Sequence, residues 1–373
     1  MRASIPRPHP PGSPEAWREA IELAADQGRL APSVHNTQPW SFVLRLDRLE
    51  VRADPSRQLT VLDPDGRELV ESVGAALFNV RASLAASHVP VAVDRLPDPA
   101  DPELLAVVRP AAGTPDPALA RLDRVIPRRH TNRRPFGPET VPDDVLDELA
   151  EALAAEDTRL VPVRTPQQRE LLAEVMREAD RLQNADPAYR AELERWTSRS
   201  PAQGDGVPAS SVPRTAGPRT DAVPVRDFDP RGRGGLPRHT DSGPDQTLLL
   251  LATLTDDRLA WLRAGEALQR LLLELTVRDW VAGPMTQALE VPATRERLAR
   301  LTAPFVPMSV LRVGRAAPVE PPARRPRRTV VQNSTRPHPP LTPTPAPPPA
   351  VPAEPAEPGP HPVSDGRGGT TWR

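Results

Sequence analysis

The chain has 373 residues, a formal net charge of −1, 26 % charged and 3 % aromatic residues, and no cysteine. The near-neutral charge argues against nucleic acid or an anionic membrane as partner. The missing cysteine excludes disulfides, iron–sulfur clusters and a thiolate nucleophile. The length allows two ordinary domains, or one domain duplicated, plus tails.

Residues 1–13 read as a flexible arm with no apolar core of a secretory signal. The longest apolar run, Leu248 to Ala252, is too short to span a bilayer, so a cytoplasmic protein is expected. Pro14 and Glu15 open a helix with Trp17, Ala20, Ile21 and Ala24 on one face, closed by Gly28. A polar stretch follows, Ala31 to Phe42, reading APSVHNTQPWSF. Trp40 to Leu46 and Leu49 to Val51 alternate as strands, and Leu59 to Leu62 is a short apolar run. Arg67 to Ser87 reads as a helix with a stripe of Leu69, Val73, Ala76, Leu77, Val80 and Leu84. Strand candidates at Val89 to Val93 and Leu104 to Val108 and a short helix at Pro117 to Val125 come next. Then comes Arg128-Arg129-His130-Thr131-Asn132-Arg133-Arg134-Pro135-Phe136.

Beyond it, Pro142 to Ala154 reads as a helix and Arg159 to Val163 as a strand. Pro166 to Trp196 is a long helical stretch interrupted near Pro187. Residues 198–245 are rich in Pro, Gly, Ser and Arg and too long for an ordinary loop, which predicts a lid or loop insertion. Thr247 to Leu254 reads as a strand, Leu259 to Val281 as a helix, Thr294 to Leu301 as a short helix and Met308 to Gly314 as a last strand. Of the twenty-six residues from Pro337 to Pro362, thirteen are proline, so 333–373 is expected to be a Pro-rich disordered tail.

The helices at 67–87 and 259–281 superpose in sequence at an offset of 191, which sets Gly74 on Gly265, Ala76 on Ala267, Leu77 on Leu268, Val80 on Leu271 and Leu84 on Leu275. Any two amphipathic helices share an apolar stripe, but a shared glycine before Ala-Leu suggests repetition. The fold expected is α+β, with helices packed on antiparallel-rich sheets in two homologous halves, 14–125 and 126–332.

The string from Pro32 to Trp40 could be a plain helix cap and turn. It also resembles the PS-x-x-N-x-QPW signature of FMN-dependent nitroreductases, and its His-Asn-Thr-Gln version resembles the Acg-type actinobacterial branch. Members of that superfamily are typically homodimers with FMN at the subunit interface, one subunit giving the PS-x-x-N loop and the other an R-x-[ST]-x-[KR] motif. Here each motif occurs once: Pro32 to Trp40 in the first half and Arg129-His130-Thr131-Asn132-Arg133 in the second. The second half has Ala155-Glu156-Asp157-Thr158 where its own PS-x-x-N loop would fall. The resemblance therefore implies an intrachain pseudo-dimer, monomeric or itself dimeric, with one complete flavin site and one degenerate site.

Arg129 and Arg133 alternate with Thr131 on an extended segment, so they share a side and suit a dianionic phosphate; a solvated basic run is the plain alternative. The resemblance assigns FMN to Pro32, Ser33, His35, Asn36, Gln38, Arg129, His130, Thr131 and Arg133. It adds Met285 near the flavin N5 and Arg325 at the phosphate. His35 and His130 lack the carboxylates of a metal site, so no metal is expected. Because the cofactor would carry the redox chemistry, no catalytic acid or base is named. The implied reaction is hydride transfer from NAD(P)H through FMN to a small acceptor such as a quinone or nitroaromatic. The alternative is a flavin-binding or flavin-sequestering protein without turnover; a structural protein with the tail as its working part is a third reading.

Overall fold

The computed structural model describes residues 13–212, Val223, Pro224, Arg226, Phe228, Gly235 and 246–334, and the backbone of 362–364 and 370–372. Residues 1–341 form one compact unit and 342–373 a second. In the second unit the described backbone is an antiparallel pair, Pro362–Ser364 with Thr370–Trp372; of the expected disordered tail, Asn333 and Ser334 instead lie against Leu44 in the first unit, and the remainder lies outside the described residues, as do residues 1–12.

The first unit is α+β. Helix α1 (Pro14–Gly28) starts where the Ser13 hydroxyl accepts from the Ala16 N–H at 3.1 Å. It ends at Gly28, where a side chain would collide with the Phe42 ring. Strands β1 (Trp40–Leu44) and β2 (Leu49–Ala53) form an antiparallel hairpin. Helix α2 (Arg67–Ala86) leads to β3 (Val91–Arg95) and β4 (Leu104–Pro110), and α3 (Pro117–Ala120) closes the first half. The second half has α4 (Asp143–Ala154), β5 (Arg159–Pro162), α5 (Pro166–Ala185) and α6 (Pro187–Thr197). It continues with β6 (Thr247–Thr253), α7 (Arg258–Val277), β7 (Val281–Pro284), α8 (Gln287–Glu290), α9 (Pro292–Leu298) and β8 (Val306–Gly314). A last turn of helix, α10 (Arg327–Val330), precedes β9 (Val331–Asn333).

Two sheets result, ordered β3-β4-β2-β1-β9 and β5-β6-β8-β7. Strand β6 is buried along its length, and its side chains alternate between two cores. Leu249 and Leu251 face α4 and α7, whereas Leu248 and Leu250 face α5, α8 and α9. A strand covered on both faces reads as a continuous apolar run, as 247–253 does. Strand β9 pairs in parallel with β1, Phe42 opposite Val331. The chain thus finishes its second half inside the first half's sheet.

Several expected boundaries move. The helix expected through Val281 stops at Val277, and the next strand, β7, was not anticipated. The interruption expected near Pro187 is found there: Asp186 caps α6 with Pro187 at its first position. Leu59 and Leu62 are not in a strand; they are buried against Tyr189, Leu193 and Trp196.

The two halves meet through α2 and α7, and α2 is buried on nearly every side. A Cβ on Gly74 would overlap the Leu262 carbonyl oxygen, and a Cβ on Gly265 would overlap that of Glu71. Positions 71 and 262 differ by the same 191 residues as 74 and 265, so the crossing is reciprocal. Such reciprocity is what a two-fold relation between halves produces. Among the described residues α2 is the one helix long and apolar enough to cross a membrane, but 89 % of that stretch is buried within the protein.

The crossing sets a stability test. Gly74→Ala and Gly265→Ala should each destabilise the protein by about 1–3 kcal/mol through overpacking, seen as a lower urea midpoint at unchanged slope. Parent-like midpoints for both variants would mean that the helices do not approach this closely.

Candidate functional site

A cleft of about 730 Å³, its mouth included, opens beside the helix crossing. One wall is the loop after α1, with Pro32, Ser33, Val34 and His35. The second is the face of α2 that carries Glu68, Glu71, Ser72 and Ala75, joined by Leu268 of α7. Thr131 and Arg133, Pro284 and Thr286, and Ser309 complete it from the second half. A site of this kind needs both halves of the chain.

The loop is strained into place. His35, Asn36 and Gln38 have φ of 45°, 55° and 51°, a region that costs a non-glycine residue of order 1–3 kcal/mol when held there. The restraints are visible. Val34 N–H donates to Ser72 Oγ at 3.2 Å and Gln38 N–H to Ser33 Oγ at 2.9 Å. The Asn36 amide donates to the Gly206 carbonyl at 2.9 Å, and the Gln38 amide to that of Gly204 at 2.8 Å. Pro32, Ser33 and His35 therefore face the cleft, while Asn36 and Gln38 are spent on holding other chain segments. Both ring nitrogens of His35 are buried without a hydrogen-bond partner. Burial, then the Arg226 and Arg133 guanidiniums, push its pKa well below the usual histidine value, so the ring is neutral.

The segment 129–134 runs alongside β7. Thr131 bridges Ala282 in parallel, and Asn132 N–H donates to the Ala282 carbonyl at 3.0 Å. That places Thr131 and Arg133 in the cleft. Arg129 and His130 lie in an adjoining corner under Leu30 and Ala31. There Arg129 donates to the Leu30 carbonyl at 3.4 Å, and Arg324 donates to the same oxygen at 3.0 Å and to Ala31 O at 3.2 Å. Arg129 is 3 % exposed, and its Nε and Nη1 have no partner. Neither guanidinium has a carboxylate partner among the described residues. Burial and then Arg324 pull the Arg129 pKa down to about 9; burial and then Arg29 pull Arg324 to about 10. His130 falls to about 4 from burial, Arg129 and Arg324. A buried and a half-buried guanidinium thus meet over one carbonyl oxygen.

Two expected site residues lie elsewhere. Arg325 donates to the Gln38 carbonyl at 2.8 Å and pairs with Asp54 at 3.4 Å. Its neighbour Arg324 is the one that reaches the anion corner. Met285 is buried in the core with its N–H on the Val310 carbonyl, and Pro284 and Thr286 on either side of it face the cleft.

Described residues of 198–245 reach over this site. Phe228 stands edge-on to His35 with centroids 5.4 Å apart, and the Arg133 guanidinium lies 4.7 Å from the Phe228 ring. Arg226 is anchored on Tyr189 and Glu290. The remainder of the insertion lies outside the described residues.

The equivalent place on the other side of the helix crossing is filled. Glu266 stands where Ala75 stands in the cleft, at the offset of 191. It is fully buried and receives Arg81 at 2.7 Å and Arg95 at 2.6 Å. Glu156, in the loop after α4, binds Arg81 at 2.7 Å and Arg270 at 3.1 Å. Asp157 meets Arg263, the counterpart of Ser72, at 2.6 Å. A paired ion network occupies the volume that is open in the cleft. Among the described residues no group of three His, Asp or Glu could hold a metal ion.

Buried nitrogens without partners on His35 and Arg129, beside a cleft lined from both halves, fit a flat polar ligand with an anionic end. No family profile matches the chain. It is 35 % identical over 327 residues to "Putative NAD(P)H nitroreductase Rv3131" of Mycobacterium tuberculosis strain H37Rv, covering 85 % of this chain and 91 % of the relative. It is 32 % identical over 319 residues to "Putative NAD(P)H nitroreductase acg" of the same strain, with 84 % and 93 % covered. Solved structures found by shape include a putative nitroreductase of Anabaena variabilis (10 % identity, 83 % and 90 % covered, TM-score 0.43). Another is the FMN-dependent nitroreductase NfnB of Mycobacterium smegmatis in complex with NADPH (16 % identity, 53 % and 89 % covered, TM-score 0.31). On the sequence relationship, the chain belongs to the family of the mycobacterial Acg-type NAD(P)H nitroreductases.

Proposed function

We propose that the chain binds one FMN across its two halves and transfers hydride from NAD(P)H to a small acceptor such as a quinone or nitroaromatic. The observation that carries this reading is the pair of buried Arg129 and half-buried Arg324, which share the Leu30 carbonyl and have no carboxylate partner among the described residues. A phosphate would supply the missing negative charge. Pro32, Ser33, His35, Thr131 and Arg133 would hold the ribityl chain and ring, with the backbone at 284–286 beside the ring. Bound there, flavin supplies the two-electron redox chemistry. The protein's part is to position it and to exclude water. Asn36 contributes indirectly, since its Oδ1 accepts from Arg324 at 3.2 Å and so orients that guanidinium. Both halves of the cleft lie on one chain, so a single copy suffices.

A second reading is flavin storage without turnover. It is favoured by Phe228 and Arg226, which lie in the cleft where a nicotinamide would have to approach.

Two experiments test this. Arg129→Ala and Arg324→Ala should each remove a charge-assisted hydrogen bond worth about 1.5–3 kcal/mol, about ten- to a hundredfold in FMN affinity. Riboflavin, without the phosphate, should bind parent and variants alike, and Arg325→Ala should leave FMN affinity near the parent's. Unchanged FMN affinity in the Arg129→Ala, Arg324→Ala double variant would overturn the phosphate site. Anaerobic addition of NADH or NADPH should bleach the bound flavin. Persistent colour at saturating nicotinamide would leave the storage reading in place of the enzyme.

A further inference from the structure

Sequence patterning gave the cleft wall on α2 no chemical role, yet it carries two carboxyl groups. Glu68 and Glu71 are 5 % and 6 % exposed, one helical turn apart, and both line the cleft. Glu71 Oε1 has no hydrogen-bond partner; Oε2 accepts from Ser309 Oγ at 3.4 Å. The charged groups around the pair come from every neighbouring element. On α2 itself Arg67 lies 3.6 Å from Glu71 and 3.4 Å from Glu68. Asp63 approaches from the turn before α2 and Glu290 from α8. Arg295 of α9 is already paired with Asp256 at 2.7 Å, and Arg226 with Glu290. Across the cleft stand Arg133 and the neutral His35. Four carboxyls, Asp63, Glu68, Glu71 and Glu290, thus crowd around Arg67 and Arg226, which disfavours the charged form of Glu68 and Glu71.

We propose that Glu71 is the proton donor of the cleft, a carboxylic acid on the wall beside which the acceptor would bind. This rests on the hydride-transfer reading above. A hydride brings two electrons and one proton, so each acceptor is left one proton short. A quinone plus H⁻ plus H⁺ gives the quinol; a nitro compound plus H⁻ plus H⁺ gives the nitroso compound and water. The reduced cofactor gives the hydride. Glu71 gives the proton and becomes a carboxylate, stabilised by Arg67 and the Ser309 hydroxyl. Its proton returns from the open groove that Asp63, Arg67 and Glu290 line behind the cleft.

Burial is the main cause that pushes Glu71 up to about 8, with Arg67 opposing and Asp63 reinforcing it. Glu68 is also well above the carboxylate range, from burial and then Glu290. The acid form is therefore present at neutral pH and is lost as pH rises through about 8.

The test uses the full-length, flavin-loaded chain and Glu71→Gln. Reduced protein is mixed with 1,4-benzoquinone, which takes hydride and proton, or with ferricyanide, which takes electrons alone. Glu71→Gln should be bleached by NAD(P)H at the parent rate. It should be reoxidised by benzoquinone about a hundredfold or more slowly and by ferricyanide at the parent rate. In the parent, the quinone step should fall above about pH 8 while the ferricyanide step does not. In flavin-free protein, the carboxyl ¹³C signal that disappears in Glu71→Gln should titrate near that pH. Equal benzoquinone rates in parent and variant, or a carboxyl titrating in the ordinary range, overturn the assignment. If Glu71→Gln loses its flavin, the parent's pH profile decides, and a flat quinone step overturns the proposal. A parent that NAD(P)H does not bleach defeats the hydride-transfer reading instead, whereas normal bleaching with equal quinone rates defeats only the proton donor.

Discussion

The close crossing of α2 over α7 is the constraint on which the rest of the molecule depends. Gly74 and Gly265 let each backbone sit against a carbonyl oxygen of the other helix, a separation that no side chain permits. That contact joins the two halves. It turns the face with Ser72 and Ala75 outward into a cleft, and it puts the loop after α1 within reach of the segment 129–134. The C-terminal arm then ties the halves together: Asn132 donates to the Ala317 carbonyl at 2.9 Å, Arg324 and Arg325 bind the motif loop, and β9 extends the first sheet.

From this near-symmetric frame the chain makes two unlike places. On one side, cations at Arg129 and Arg324 have no negative partner among the described residues. On the other, Arg81, Arg95 and Arg270 are matched by Glu156 and Glu266. Buried ion pairs add little net stability over apolar packing, but opening one leaves an uncompensated charge. The matched side is therefore closed by its own chemistry, and the other side is the one proposed above to take an anion. The same electrostatic logic acts on the open side: burial and two arginines push the His35 pKa down, and burial pushes those of Glu68 and Glu71 up on the opposite wall.

Much of this was legible in the sequence, for identifiable reasons. Apolar periodicity marked α1, α2 and α7, and the repeated Gly-x-Ala-Leu steps marked a repeat; that the two glycines also mark a helix crossing is visible only in the structure. The string Pro32 to Trp40 marked the loop, although not which of its polar side chains would face inward. Positive φ at His35, Asn36 and Gln38 decides that, and composition does not display it. Arg324 and Arg325 could not be told apart, since neighbours on an extended segment point opposite ways; the same alternation turns Met285 away from the cleft. Strand β9 is three residues long beside an arginine run, too short to carry a pattern. Glu71 was hidden because the apolar stripe of α2 describes one face, whereas the helix is buried on nearly all of them.

Counting flavin on the intact chain tests most directly the claim that two halves make one site. Native mass spectrometry of protein saturated with FMN should give one flavin per polypeptide, whatever the oligomeric state. Two flavins per polypeptide would mean that the network of Glu156 and Glu266 does not close the second place, and would contradict the account.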